Sequence, residues 1–192
     1  NQLLAIANQS DGNGGYIYCG QGTGRPPFLE RPGGVDYLGA GGTMRVAADE
    51  PLPLSLDGSE VWLSSNTGNG VFESRNLNST GAWIDAGRVT APDQVTGSTY
   101  SINFSVVGGV TTYTILQDGN PTAVTGAPFT DGQAIEIDGL AVTVTGVPGD
   151  GDAFELAPSE PTLSVFDALD RVVNELKTPL RTGAQISQTV QN

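Results

Sequence analysis

Two short segments with apolar residues at helical spacing sit at opposite ends of this 192-residue chain, and everything between them reads as strand and turn. The first is Asn1–Gln9 (NQLLAIANQ), carrying Leu3, Leu4, Ile6 and Ala7; the second is Val165–Pro179 (VFDALDRVVNELKTP), carrying Val165, Phe166, Leu169, Val172, Val173 and Leu176. The second set advances in steps of 1, 3, 3, 1 and 3, a narrow stripe of the coiled-coil type. Neither segment is long enough to persist as a helix in water without a surface to pack on. Both are expected to bury their stripes as the cut ends of a longer helical bundle, with the β-rich body projecting from it. Such an organisation implies an assembling, structural protein rather than an enzyme.

Turn chemistry places the remaining elements. The first helix is expected to stop by Ser10, since Asp11-Gly12 and Asn13-Gly14-Gly15 tolerate positive φ. Tyr16–Cys19 reads as a short strand and Gly20–Pro27 as a loop; Val35–Leu38 is expected to pair with Met44–Ala47 across Gly39–Gly42. Leu52–Leu56 and Glu60–Leu63 alternate like strands, the former pushed toward an edge by Pro53. In Tyr100–Val107, Tyr100, Ile102, Phe104 and Val106 share one face, and Gly108-Gly109 turns the chain into Thr111–Leu116. Ala134–Ile137 and Leu140–Val144 form a second such hairpin about Asp138-Gly139, and Phe154–Leu156 is a last strand. Thr162 or Ser164 can cap the second helix, with Asp167 in its first turn; Pro179 and Gly183 end it before a further stretch with Ile186 and Val190. The expected fold is α+β, mainly β. A helical stem (1–15 and 159–192) carries a first β region (16–64) and an inserted β-rich outer domain (65–158).

Composition narrows the function. Acids outnumber bases 21 to 8, for a formal net charge of −13, and such a surface repels phosphate backbones and acidic lipids. Neither nucleic acid nor membrane is an expected partner. The sequence has no apolar run of spanning length and no cleavable leader pattern; with no initiating Met, it reads as an excised fragment. Cys19 is the single cysteine, which excludes an intrachain disulfide, and it reads as a small buried hydrophobe. There is no His, so the usual general base near neutral pH is absent. Gly20, Gly22 and Gly24 are followed by Arg25-Pro26-Pro27, where no helix can begin to hold a pyrophosphate. The Asp-rich turns at Asp11 and Asn13, and at Asp150, Asp152 and Glu155, fall short of a twelve-residue calcium loop and read as structural turns. No catalytic, cofactor-binding or metal residue is assigned. The assigned residues are those of stem packing: Leu3, Leu4, Ile6, Val165, Phe166, Leu169, Val172, Val173 and Leu176.

Four stretches carry a family resemblance. Leu3–Gly20 (LLAIANQSDGNGGYIYCG), Pro26-Pro27-Phe28 with Gly34-Val35-Asp36-Tyr37, Leu56–Trp62 (LDGSEVW) and Val165–Pro179 occur in the order and spacing of the hook-associated protein 3 (FlgL) family of bacterial flagellar hook–filament junction proteins, relatives of flagellin. Trp62 stands where that family usually has Phe, and Thr96–Pro158 resembles the extra domain of its longer members. The resemblance implies a secreted structural adapter for motility, extracellular on the flagellum and exported unfolded by the type III apparatus. It implies a ring of copies of itself, hook-associated protein 1, flagellin and an export chaperone as partners, and no cofactor. The alternatives are a relative of flagellin or of hook-associated protein 1, and a secreted β-rich adhesin or glycan-binding module.

Overall fold

Antiparallel pairing dominates the computed structural model, which describes residues 2–22, 24–32, 34–41, 44–47, 50–52 and 56–177, with only the backbone for 44–47, 50–52 and 175. The expectations for Pro179, Gly183, Ile186 and Val190 lie outside the described residues, as does most of Leu52–Leu56. The chain is mainly β with few helices. It divides into two compact units, one of 1–65 with 161–171, the other of 66–160 with 172–192.

The first unit opens with helix α1 (Gln2–Ala7), which ends just ahead of the Asp-Gly-Asn-Gly turn. A hairpin of β1 (Phe28–Arg31) and β2 (Gly34–Tyr37) follows, then β3 (Met44–Ala47) paired with β4 (Glu50–Leu52). This corrects the expected pairing of Val35–Leu38 with Met44–Ala47. Phe28 lies directly opposite Tyr37, with ring centroids 5.1 Å apart, and Arg31 bridges Asp36 at 2.6 Å. Two linking residues bring those partners together at less entropic cost than the longer loop that the alternative pairing would close.

Glu60–Leu63 is not a strand either. Residues Gly58–Trp62 form helix α2, because Asp57 caps it: its Oδ1 accepts from the Ser59 N–H at 2.9 Å and from the Ser59 hydroxyl at 2.6 Å. Asp57-Gly58-Ser59-Glu60 has the spacing of a capping box, a local helix signal stronger than four residues of alternation. Gly58 is required at the first turn, since a Cβ there would lie 2.6 Å from the Tyr18 carbonyl oxygen and 2.8 Å from the Phe28 ring.

Tyr16–Cys19 forms only isolated bridges, Ser10 to Tyr16 and Cys19 to Asp57, instead of a strand. Its backbone groups are committed elsewhere: the Ile17 N–H donates to the Gln9 carbonyl, and the Tyr18 carbonyl accepts from the Gly58 N–H and the Tyr37 hydroxyl. Cys19 is buried, as its sequence context implies. The chain re-enters this unit at 161–171 with the first part of helix α3 (Val165–Lys177), whose Asp167 N–H donates to Ser164 Oγ at 3.2 Å.

The second unit stacks two sheets over one core. The first has the order β10-β9-β8-β14-β5, with β11 also on β9; the strands are β5 (Phe72–Asn78), β8 (Tyr100–Val107), β9 (Val110–Gln117), β10 (Asn120–Pro121), β11 (Ala127–Pro128) and β14 (Ala153–Pro158). The second has β12 (Ala134–Ile137) and β6 (Ala82–Ile84) flanking β13 (Leu140–Gly146), with β7 (Arg88–Val89) also on β13. Tyr100, Ile102 and Phe104 point inward against Ile115, Phe154 and Leu156, and Ile84, Val142 and Val144 come from the other sheet. The two expected hairpins form in register, Val107 opposite Val110 and Ile137 opposite Leu140. Asp138 at φ 44° and Gly139 at φ 77° show why Asp-Gly suits that two-residue turn. The alternation that begins near Thr96 is only part of this unit: Phe72 and Ile84, from β5 and β6, complete its core.

Candidate assembly surface

Helix α3 presents its stripe unevenly. Phe166 is buried, its ring 5.5 Å from Phe28 and stacked 5.7 Å from Trp62, while Trp62 meets Tyr18 edge-on at 5.6 Å. Ala7, Phe28 and Phe166 are the buried centre of the first unit, and Leu3, Leu4, Tyr18, Val35, Tyr37, Trp62 and Leu63 pack around them. The aromatic members Tyr18, Phe28, Tyr37 and Trp62 were not among the assigned residues. Their spacing in sequence follows no helix or strand period, so only the fold brings them onto Phe166.

The rest of the stripe faces outward. Leu169 is 47% exposed, Val173 41% and Leu176 61%, with Ile6 of α1 at 50%. Val165 and Val172 are half-buried. Positions 166, 169, 173 and 176 repeat at 3, 4 and 3, the a/d seam of a coiled coil, and three of the four lack cover. Leu3, Val35, Phe166 and Leu169, with Glu30, Arg31 and Asp170, line a cleft of about 100 Å³ within the first unit. Scattered exposed leucines are ordinary; several in heptad register on one helix form a packing surface.

Electrostatics here serve structure. The Asp57 carboxyl is held below the usual range chiefly by its hydrogen bond from Ser59, and burial pushes the Tyr37 hydroxyl up to about 12. In the second unit Asp152 is fully buried and accepts from the Gly149 N–H at 2.8 Å and from the Thr80 N–H and hydroxyl at 3.1 Å. Asp150 Oδ1 accepts from the Val106 N–H at 2.9 Å, and Glu155 pairs with Arg75 at 3.5 Å. Those carboxylates are engaged with the protein itself. Among the described residues no group of three or more His, Cys, Asp or Glu side chains is placed to hold a metal ion, and no helix is long and apolar enough to cross a membrane.

Comparison with known proteins gives these features a context. Residues 71–158 match the family model described as flagellar hook-associated protein 1, D2-like domain. Over 78 residues, 41% of this chain, the sequence is 35% identical to flagellar hook-associated protein 3 of Escherichia coli strain K12, covering 22% of that protein. The flagellar junction protein FlgL of Legionella pneumophila is similar over the whole chain, with a TM-score of 0.79 and 25% identity, over 66% of its own length. FlgL of Xanthomonas campestris gives a TM-score of 0.77 and 27% identity over 99% of this chain and 62% of its own. The chain therefore spans less than two thirds of the relatives it matches. In backbone the chain is similar along essentially all of its length to FlgL junction proteins of the bacterial flagellum, and in sequence 41% of it is similar to a hook-associated protein 3.

Proposed function

We propose that this chain is the middle of a structural adapter at the flagellar hook–filament junction, working by self-assembly and without catalysis. The observation that carries this reading is the half-exposed heptad stripe Leu169, Val173 and Leu176 on a helix whose Phe166 is anchored in a packed core. Residues 1–15 and 159–192 are then stem, held against further helices of the same subunit and of its neighbours. Residues 16–64 and 65–158 are the β regions that the stem carries. The site residues are Leu3, Leu4, Ile6, Val165, Phe166, Leu169, Val172, Val173 and Leu176. Following the family resemblance, the partners are copies of itself in a ring, hook-associated protein 1, flagellin and an export chaperone, outside the cell. A relative of hook-associated protein 1 is the second reading, favoured by the match over 71–158; the likeness of the remaining residues to FlgL weighs against it.

The test is genetic. A full-length junction protein with Leu169→Asp and Leu176→Asp is expected to be exported but to leave hooks bare, with flagellin shed into the medium, because the stripe cannot bury unpaired carboxylates. Normal filaments on such cells would refute the stem-driven mechanism.

A further inference from the structure

We propose that Asn13-Gly14 is a site of spontaneous covalent modification, at which the asparagine loses its amide in the native protein. The chemistry needs no cofactor. The Gly14 backbone nitrogen, having given up its proton, attacks Asn13 Cγ; a C–N bond forms and ammonia leaves, closing a five-membered succinimide. Water then opens the ring at either carbonyl, giving aspartate or isoaspartate. Two conditions set the rate: a following residue without a side chain to obstruct the attack, and freedom for the Asn amide and the next N–H to meet.

The chain contains two Asn-Gly pairs, Asn13-Gly14 and Asn69-Gly70, and the fold treats them in opposite ways. Asn69 is tied at both ends of its amide. Its Oδ1 accepts from the Val71 and Phe72 N–H groups, each at 3.0 Å, and its Nδ2 donates to the Ala86 and Gly87 carbonyls at 3.2 and 3.4 Å. The Gly70 N–H donates to the Thr67 carbonyl. Attack there requires that whole turn to open.

Asn13 is exposed, and among the described residues neither its side-chain amide nor the Gly14 N–H makes a hydrogen bond. Gly14 has φ +91° and nothing within 4 Å of where a Cβ would stand. Only the Asn13 backbone N–H is held, by Asp11 Oδ1 at 2.8 Å, which also accepts from the Gly15 N–H at 2.9 Å. The electrophile and the nucleophile are thus both free inside an otherwise pinned turn.

The product acts on the fold. A new carboxylate arises two residues from Asp11, whose own carboxylate organises the turn, and isoaspartate adds a methylene to the main chain between the bridged residues Ser10 and Tyr16. The turn linking α1 to the aromatic core therefore loosens as the protein ages.

The test is incubation of the native chain at physiological temperature and mildly alkaline pH, with peptide mapping by mass spectrometry and an isoaspartyl methyltransferase assay. A parallel sample is kept in denaturant. In the native protein Asn13 is expected to lose its amide at least about tenfold faster than Asn69, whose turn must open first. In denaturant the two rates should converge. Asn13→Gln leaves the backbone bond to Asp11 intact and should abolish the early acidic variant. A smaller native ratio, a reversed order, or an acidic variant persisting in Asn13→Gln would overturn the proposal.

Discussion

Substitutions along α3 should separate folding from assembly, because one helix carries residues that do each. Phe166 is 6% exposed between Phe28 and Trp62, so Phe166→Ala removes a buried ring from a small core and is expected to cost about 3–5 kcal/mol. Leu169 and Leu176 are already 47% and 61% exposed, so Leu169→Asp and Leu176→Asp should each change stability by less than about 1 kcal/mol. The assay is a urea titration read by tryptophan fluorescence. Trp62 lies in the first unit and Trp83 in the second, so a Trp83→Phe background makes the signal report the first unit alone. Covering Leu169, Val173 and Leu176 of α3 buries about half of each side chain. At about 2 kcal/mol for a fully buried aliphatic residue, that contributes roughly 1 kcal/mol each and ~3 kcal/mol per subunit on assembly. The aspartates should remove most of this and abolish junction formation while leaving the urea midpoint almost unmoved. If Leu169→Asp unfolds the first unit as Phe166→Ala does, the stripe is core and the argument fails.

Other outcomes follow from single contacts. The Trp62 Nε1–H is buried without a hydrogen-bond partner, so Trp62→Phe should be neutral or stabilising by up to about 1 kcal/mol despite the lost ring area; a large drop in the urea midpoint followed by circular dichroism would contradict this. Asp152→Ala strands the Thr80 and Gly149 donors and should cost about 3 kcal/mol, read as a lower melting temperature of the second unit. Because the Asp57 carboxyl is depressed in the folded state, its contribution is present above the unfolded carboxylate range and is lost as the pH falls through its folded value. Asp57→Asn should flatten that acid limb of a stability–pH curve. Tyr37 is raised, so its contribution is complete below 10 and is lost between 10 and about 12, a limb that Tyr37→Phe should remove.

What could be read without coordinates was whatever local pattern decides. The hairpins about Gly108-Gly109 and Asp138-Gly139 carry their turn residues between alternating strands, and the second helix carries its Ser164 cap and its stripe. The absence of His, the single Cys19 and the acidic balance were likewise plain from composition. Short segments with competing signals were not legible. Glu60–Leu63 alternates like a strand, but the Asp57 cap makes it helix; Val35–Leu38 was matched to Met44–Ala47, and the strand it does pair with, Phe28–Arg31, carries too few alternating residues to be read from sequence. The candidate surface divides in the same way. Periodicity alone picked out Val165, Phe166, Leu169, Val172, Val173 and Leu176 as one stripe. That Phe166 is spent on an aromatic core while Leu169, Val173 and Leu176 stay half-exposed was decided by tertiary structure. Helical spacing states which residues share a face; which part of that face is covered depends on residues as distant as Tyr18, Phe28 and Trp62, which only the folded chain brings together.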